Sequence, residues 1–214
     1  FSIPFLGLTN EGMPRFYNER GVETLGDFNF SSSNINFLKY SGTLDPTDVG
    51  TLTNTFRYKN FTLSANINYE FGAVTRLRSI SNTDDYSAFP RELTQRWKKP
   101  GDEAHTDIPR IPTSYAFDQY GADNLINGFY AYSASTARIV STDLVRLKEI
   151  SMEYTVSKTL LRRTPLKNLA VKLQAQNLML LYSDARLRGD DPAYMYSSSV
   201  TAPKKLILTL RVGL

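Results

Sequence analysis

Cysteine is absent from the 214 residues, and histidine occurs once, at His105. The first absence removes disulfides, thiolate metal sites and cysteine nucleophiles together. The second leaves no histidine-rich metal site and little general-base capacity. Long apolar runs are missing too, and nothing approaches the roughly 20 residues a membrane helix needs. Neither sign of charge dominates: 25 Lys and Arg against 21 Asp and Glu leave a net +4, far from a nucleic-acid-binding signature. The sequence also lacks G-x-S-x-G, a phosphate loop, H-E-x-x-H and a dinucleotide fingerprint, so it reads as a non-enzyme with no metal and no cofactor. Tyrosine is plentiful, with 13 copies, and aromatics reach 12% beside abundant Ser, Thr and Asn. That composition favours β structure.

The alternation is unbroken from Phe61 to Phe71. Phe61, Leu63, Ala65, Ile67, Tyr69 and Phe71 share one face, and Thr62, Ser64, Asn66, Asn68 and Glu70 share the other. A period of two means that one face meets an apolar medium and the other meets water. Leu52, Asn54, Phe56 and Tyr58 alternate with Thr53, Thr55 and Arg57, and only Lys59-Asn60 separates the two runs, as in a tight hairpin. Ile150, Met152, Tyr154 and Val156 repeat the pattern. Val145 and Leu147 stand in the opposite phase, which predicts a bulge near Lys148-Glu149. Leu169, Val171, Leu173 and Ala175 form a fourth run, and Leu206, Leu208, Leu210, Val212 and Leu214 a fifth. Strands are therefore expected at about 50–59, 61–71, 143–156, 168–181 and 204–214.

The order of residues on the apolar face points to the medium. Aromatics (Phe61; Tyr69, Phe71) stand at both ends of the second run, with aliphatics between them. Rings prefer the two interfaces of a bilayer and aliphatics its hydrocarbon. Eleven residues at about 3.3 Å each, tilted by about 40°, rise roughly 28 Å, close to the apolar band of an outer-membrane barrel. Glu70, Glu153, Lys172 and Arg211 all fall on the polar face, whereas each would cost about 2–4 kcal/mol on lipid at mid-membrane. A soluble β-rich binding or adhesion module also alternates. The connections favour the membrane: short at Lys59-Asn60 and 157–168, long at 72–142 and 182–203, as in barrels with short periplasmic turns and long extracellular loops. The expected lipid-facing girdle is Phe61, Leu63, Ile67, Tyr69, Phe71, Tyr154, Leu206, Leu208 and Leu210. A closed hydrophobic interior around Leu63, Ile67, Leu173 and Leu208 would overturn this reading.

Loop 72–142 holds one expected helix, near Ala88 to Trp97, followed by an extended Ile108-Pro109-Arg110-Ile111-Pro112. Trp97, Tyr115, Phe117, Tyr120, Tyr130 and Tyr132 in this loop, with Tyr194 and Tyr196 in the next, are the candidate contacts for cargo or for a partner protein, since rings stack on ligands and loops carry function. Packing of the loop on itself is the alternative use for the same rings. Asp190-Asp191 followed by Pro192 reads as turn chemistry more than as a calcium loop.

Several phrases resemble one family. Tyr40-Ser41-Gly42 through Asp45-Pro46 to Gly50, then Asn54-Thr55-Phe56-Arg57-Tyr58-Lys59-Asn60-Phe61, is similar to the C-terminal part of SusC/RagA-type TonB-dependent outer-membrane transporters. So are Arg96-Trp97 with Pro100-Gly101-Asp102, Thr106-Asp107-Ile108-Pro109-Arg110, Val145 to Ser151 with Tyr154, Gln176-Asn177-Leu178, Gly189-Asp190-Asp191-Pro192 and Pro203. The resemblance implies an all-β chain supplying the C-terminal strands of a 22-stranded antiparallel transmembrane β-barrel in the outer membrane of a Gram-negative bacterium of the Bacteroidota. It implies active import of glycans or peptides, a SusD-like surface lipoprotein as partner, and energy from TonB-ExbB-ExbD through a plug domain. This stretch contains no plug, and Leu214 stands where such barrels close on an aromatic. Five strands leave two open edges, which hydrocarbon does not tolerate. The remainder of the barrel is therefore expected from the rest of a longer polypeptide or from another chain. A passive porin-like barrel is the other transport reading.

Overall fold

The computed structural model describes residues 1–77, 91–195 and 202–213. Ten strands appear in chain order: β1 Phe5–Leu8, β2 Pro14–Tyr17, β3 Glu23–Thr24, β4 Asp48–Tyr58, β5 Phe61–Phe71, β6 Val74–Arg76, β7 Ile139–Ser141, β8 Leu144–Thr155, β9 Asn168–Ser183 and β10 Lys205–Gly213. The helices are α1 Ser114–Tyr120, α2 Ala122–Ser133 and the single turn α3 Lys158–Leu161. Two compact units result, one from Phe1–Gly42 with Arg76–Val140, the other from Thr43–Thr75 with Ser141–Leu214.

The second unit is built on a five-stranded antiparallel sheet in the order β4-β5-β8-β9-β10, each strand beside its predecessor in the sheet. Lys59 takes a left-handed conformation (φ 51°) to turn β4 into β5 across two residues. The step from β8 to β9 runs through α3. The opposite strand ends lead into the long connections. The sheet is open: among the described residues β4 and β10 each have one edge without a partner strand, so these strands do not close a barrel by themselves.

Cross-strand register turns the alternation into rungs. Phe56, Leu63, Met152, Leu173 and Leu208 stand side by side across all five strands, and Tyr58, Phe61, Tyr154, Val171 and Leu210 form the next rung. A bulge lies where the phase of β8 slips: Asn66 faces Glu149 and Ile67 faces Leu147, which leaves Lys148 without a partner in β5. On the other side β9 carries two extra residues against β8, one between Gln176 and Met179 and one between Leu180 and Tyr182. Asn177 sits in the first of these with φ 54°. The bulges let the fourteen residues Ala170 to Ser183 of β9 keep their apolar side chains in phase with the twelve of β8.

The first unit holds what periodicity did not reveal. Ile3, Phe16, Ala131 and Tyr132 form one buried cluster, flanked by Phe5, Phe28, Phe37 and Leu38. Met13, Ala116, Leu125 and Phe129 form a second, flanked by Leu25 and Tyr120. The segment before Tyr40 and the long connection thus fold into one body, in which α2 packs against β2 and α1. The expected helix near Ala88 to Trp97 is a 3-10 turn, Arg91–Gln95, in its described part, and residues 88–90 lie outside the described residues. The real helices are α1 and α2, separated by Gly121. Their small residues permit this: Ala116, Gly128 and Ala131 face inward, and a Cβ on Gly128 would meet the Leu25 carbonyl oxygen at 2.7 Å.

Candidate functional site

The residues that meet the surroundings most directly are those of the sheet's apolar face. Leu63 is 45% exposed, Leu173 41% and Leu208 72%, with Ile67 half-buried. No closed hydrophobic interior seals them. Rings cluster at the two ends of this face. At the short-turn end Phe61 and Tyr154 lie 4.7 Å apart beside Tyr58, and at the long-loop end Tyr69 stacks on Phe71 at 5.3 Å with Tyr182 in the same region. Gly50 makes room for one of these rings, since a Cβ there would overlap the Tyr69 phenol. Seven residues lie between Phe61 and Tyr69, so the two groups of rings stand roughly 26 Å apart along the strand. Leu206, Leu208 and Leu210 share this face on β10 and all are exposed, Leu210 on the rung of Phe61 and Tyr154. The opposite face is hydrophilic and cross-linked: Arg211 pairs with Glu153 at 3.3 Å, Gln176 donates to Glu149 at 3.1 Å, and Thr55 bonds Ser64 at 2.9 Å.

The loop aromatics divide by burial. Trp97 is 7% exposed and Tyr132 1%. The Trp97 ring lies on Gly12, its indole N–H donates to Glu103 Oε2 at 2.9 Å, and the Arg110 guanidinium stands 6.0 Å from its ring centre. The backbone N–H of Glu103 itself, then this indole bond and the Gly101 N–H, lower the Glu103 pKa below the usual carboxylate value. Tyr132 packs in the core with Arg138 over its ring at 5.6 Å, and burial pushes its hydroxyl up to about 12. Burial opposes the charge on Arg138, but the bonds from its two terminal nitrogens to Glu92 at 2.9 and 2.8 Å outweigh that and hold its pKa above the ordinary value. Tyr120 is half-buried and donates to Glu11. Burial and that carboxylate push its pKa up to about 12.

Tyr115, Phe117 and Tyr130 remain exposed. Tyr130 stands edge-on to Phe30 at 5.5 Å and borders a hollow of about 290 Å³ walled by Phe28, Ile35 and Phe37. Tyr194 belongs to a 3-10 turn capped by Asp191, whose carboxylate accepts from the Ala193 N–H at 3.1 Å and from Arg146 on β8 at 2.5 Å. Asp191 thus serves turn and ion-pair chemistry. Tyr196 lies outside the described residues. Sequence reasoning passed over a second hollow, about 210 Å³, where Tyr194 meets Glu70, Arg146, Lys148 and Asn177 on the polar face. The signal that could have found it is the phase slip at Lys148, because bulges often re-aim a side chain toward a site.

No helix among the described residues is long and apolar enough to cross a membrane, which says nothing of strands. No protein-family model and no curated protein matches this sequence. Among solved structures, the RagAB peptide importer in its open-open state is similar over 100% of this chain and 22% of that one, at 15% identity and a TM-score of 0.64. Further structures, of the RagAB peptide transporter and of the importer in its closed-closed state, match over 89% of this chain at 18% and 17% identity, each with a TM-score of 0.59. This chain spans about a fifth of the length of each of these proteins, and at such identity the similarity is one of fold: a mostly β, antiparallel segment shaped like part of a known transporter.

Proposed function

We propose that this chain is a section of the wall of an outer-membrane importer, a SusC-like TonB-dependent barrel of 22 strands that takes in peptides or glycans together with a SusD-like surface lipoprotein. The observation that carries the reading is the sheet's exposed apolar face, bounded by a ring girdle at each end and backed by a hydrophilic face. A water-soluble module gains nothing from leaving Leu63, Leu173 and Leu208 uncovered between two rows of aromatics. A bilayer covers such a face along its whole length, and the edges of β4 and β10 pair with the remaining strands of the barrel. The chain carries out no chemistry on its cargo. Its polar face borders the import path, and the long connections, including Tyr115, Phe117, Tyr130 and Tyr194, meet cargo and lipoprotein on the outer side.

The fold shared with the RagAB peptide importer makes short peptides the first cargo to assay. The test uses the full-length protein in its native cell envelope. It is expected to fractionate with the outer membrane, to need detergent for dispersal, and to lose uptake of a fluorescent peptide or oligosaccharide when TonB is deleted. Dispersal without detergent would establish the soluble module instead. Uptake that persists without TonB would establish a passive pore.

A further inference from the structure

The polar face of the sheet carries a hollow between β5, β8, β9 and the turn that Asp191 caps. It lies at the long-loop end, holds about 210 Å³, and is lined by Glu70, Arg146, Lys148, Asn177, Asp191 and Tyr194 among others. At about 30 Å³ per water, this is room for roughly seven water-sized groups.

Its cations are not equivalent. Arg146 is half-buried and already neutralised by Asp191 at 2.5 Å. Lys148 is exposed and makes no ion pair among the described residues. It is also the residue that the β5 ladder leaves out, since Asn66 and Ile67 pair on either side of it. Beside it Asn177 holds a left-handed backbone conformation (φ 54°), uncommon for a residue other than glycine, and its amide nitrogen donates to the Pro203 carbonyl at 3.2 Å. Two neighbouring strands thus depart from regular pairing at one level, and both irregular residues line the same hollow. Bulges of this kind re-aim side chains and are over-represented beside functional sites, and asparagine takes the left-handed turn more readily than other residues with a side chain. Glu70, on β5, lines the same hollow and makes no ion pair among the described residues, so the site would reject ligands dense in negative charge.

We propose that this hollow is a cargo subsite for a single carboxylate, in which the Lys148 ammonium pairs with the carboxylate while Asn177 and Tyr194 hydrogen-bond the groups next to it. A ligand of this chemistry is either an acidic peptide or an acidic sugar. The inference rests on the importer reading, because the polar face then borders the path of the cargo.

The experiment uses the purified full-length protein in detergent and a thermophoretic titration with four probes: a short peptide with one aspartate, its asparagine counterpart, a uronate-containing oligosaccharide and its neutral counterpart. Lys148→Met, which keeps the stem and removes the charge, is expected to weaken one of the two carboxylate probes about 10-fold. Lys148→Arg is expected to keep that probe within about 3-fold, and neither substitution moves the neutral counterparts. Whichever acidic probe responds identifies the source of the carboxylate. Equal loss for acidic and neutral probes, no loss with Lys148→Met, or no binding of either acidic probe to the unaltered protein overturns the subsite. Uptake of the neutral probes in cells separates the two failures: if it continues with TonB present and stops without it, the importer stands while the subsite falls.

Discussion

Leu173 and Gln174 are adjacent in β9 and face opposite ways, so one substitution placed at each in turn separates the medium on the two faces. Leu173 stands on a rung with Met152 and Leu208, and Gln174 faces Ser151 and Ile207. The middle rung of the apolar face holds Ala65, Ile150, Ala175 and Leu206. Leu173 is therefore two residues from the middle, about 6.6 Å along the strand and roughly 5 Å in depth. An arginine on lipid costs about 2–4 kcal/mol at the midplane and falls toward zero at the interfaces, so Leu173→Arg should cost about 2–3 kcal/mol. Gln174→Arg adds a charge to a face that already carries Lys172, Glu153 and Arg211, and should stay within about 0.5 kcal/mol. The assay is reversible denaturant unfolding of the full-length protein in phosphatidylcholine vesicles, followed by the loss of its compact gel mobility. A difference of 2 kcal/mol is about a 30-fold change in the unfolding constant. If Gln174→Arg proves as costly as Leu173→Arg, or Leu173→Arg is silent, the apolar face does not meet lipid and the membrane reading fails.

Other consequences concern the first unit. Gly12 has φ +77° and lies under the Trp97 ring, so Gly12→Ala both strains the backbone and collides with the indole; a loss of about 2–4 kcal/mol is expected, read as a shift of the ¹⁹F resonance of fluorotryptophan at position 97, assigned with Trp97→Phe. Glu92→Ala leaves the Arg138 guanidinium, 3% exposed, without its carboxylate, which should cost about 3–5 kcal/mol and speed amide exchange in α2. Replacing both Glu92 and Arg138 by Met should recover most of that loss, and a double variant as unstable as Glu92→Ala would contradict the account. The Glu103 contribution has a definite sign. Its pKa in the folded protein lies below the ordinary 4.5, so its anchoring of Trp97 is complete above that value and is lost as pH falls through the lowered one. The Trp97 resonance should therefore move on acidification, and Glu103→Gln should abolish the movement.

How far a fold can be read from one sequence depends here on what each segment packs against. The strands β4, β5, β8, β9 and β10 turn one face apolar and the other hydrophilic, so the demand on most residues is set by parity, and parity is visible in the chain. Even the irregularity at Lys148 showed as a lost beat, because Leu147 and Ile150 must both face outward and stand three residues apart. Unit one obeys no such rule. Its core is assembled from short pieces far apart in sequence: Ile3 beside Tyr132, Met13 beside Leu125. Helix α2 buries Leu125, Gly128, Phe129 and Tyr132 at helical spacing, but a glycine interrupts that face and apolar Ile126 and Tyr130 stand exposed on the other, which blurs the periodicity.

The candidate site shows the same division one level down. A ring in a loop serves equally as ligand platform or as core, and composition does not separate the two uses. Trp97 and Tyr132 are held inside by Glu103, Gly12 and Arg138, partners that lie up to 85 residues away in sequence and become legible only in three dimensions. Tyr115 and Tyr130, of the same residue type as Tyr132, remain outside. Charge behaves differently, because a charged side chain must be either paired or solvated. The register sets Arg146 opposite Asn68 and Leu180, and its carboxylate partner comes from a loop, where Asp191 supplies it at 2.5 Å. Lys148 has no such counterpart among the described residues. An unpaired cation aimed by a bulge into a hollow on the polar face is therefore a stronger pointer to bound cargo than any of the aromatics that first drew notice.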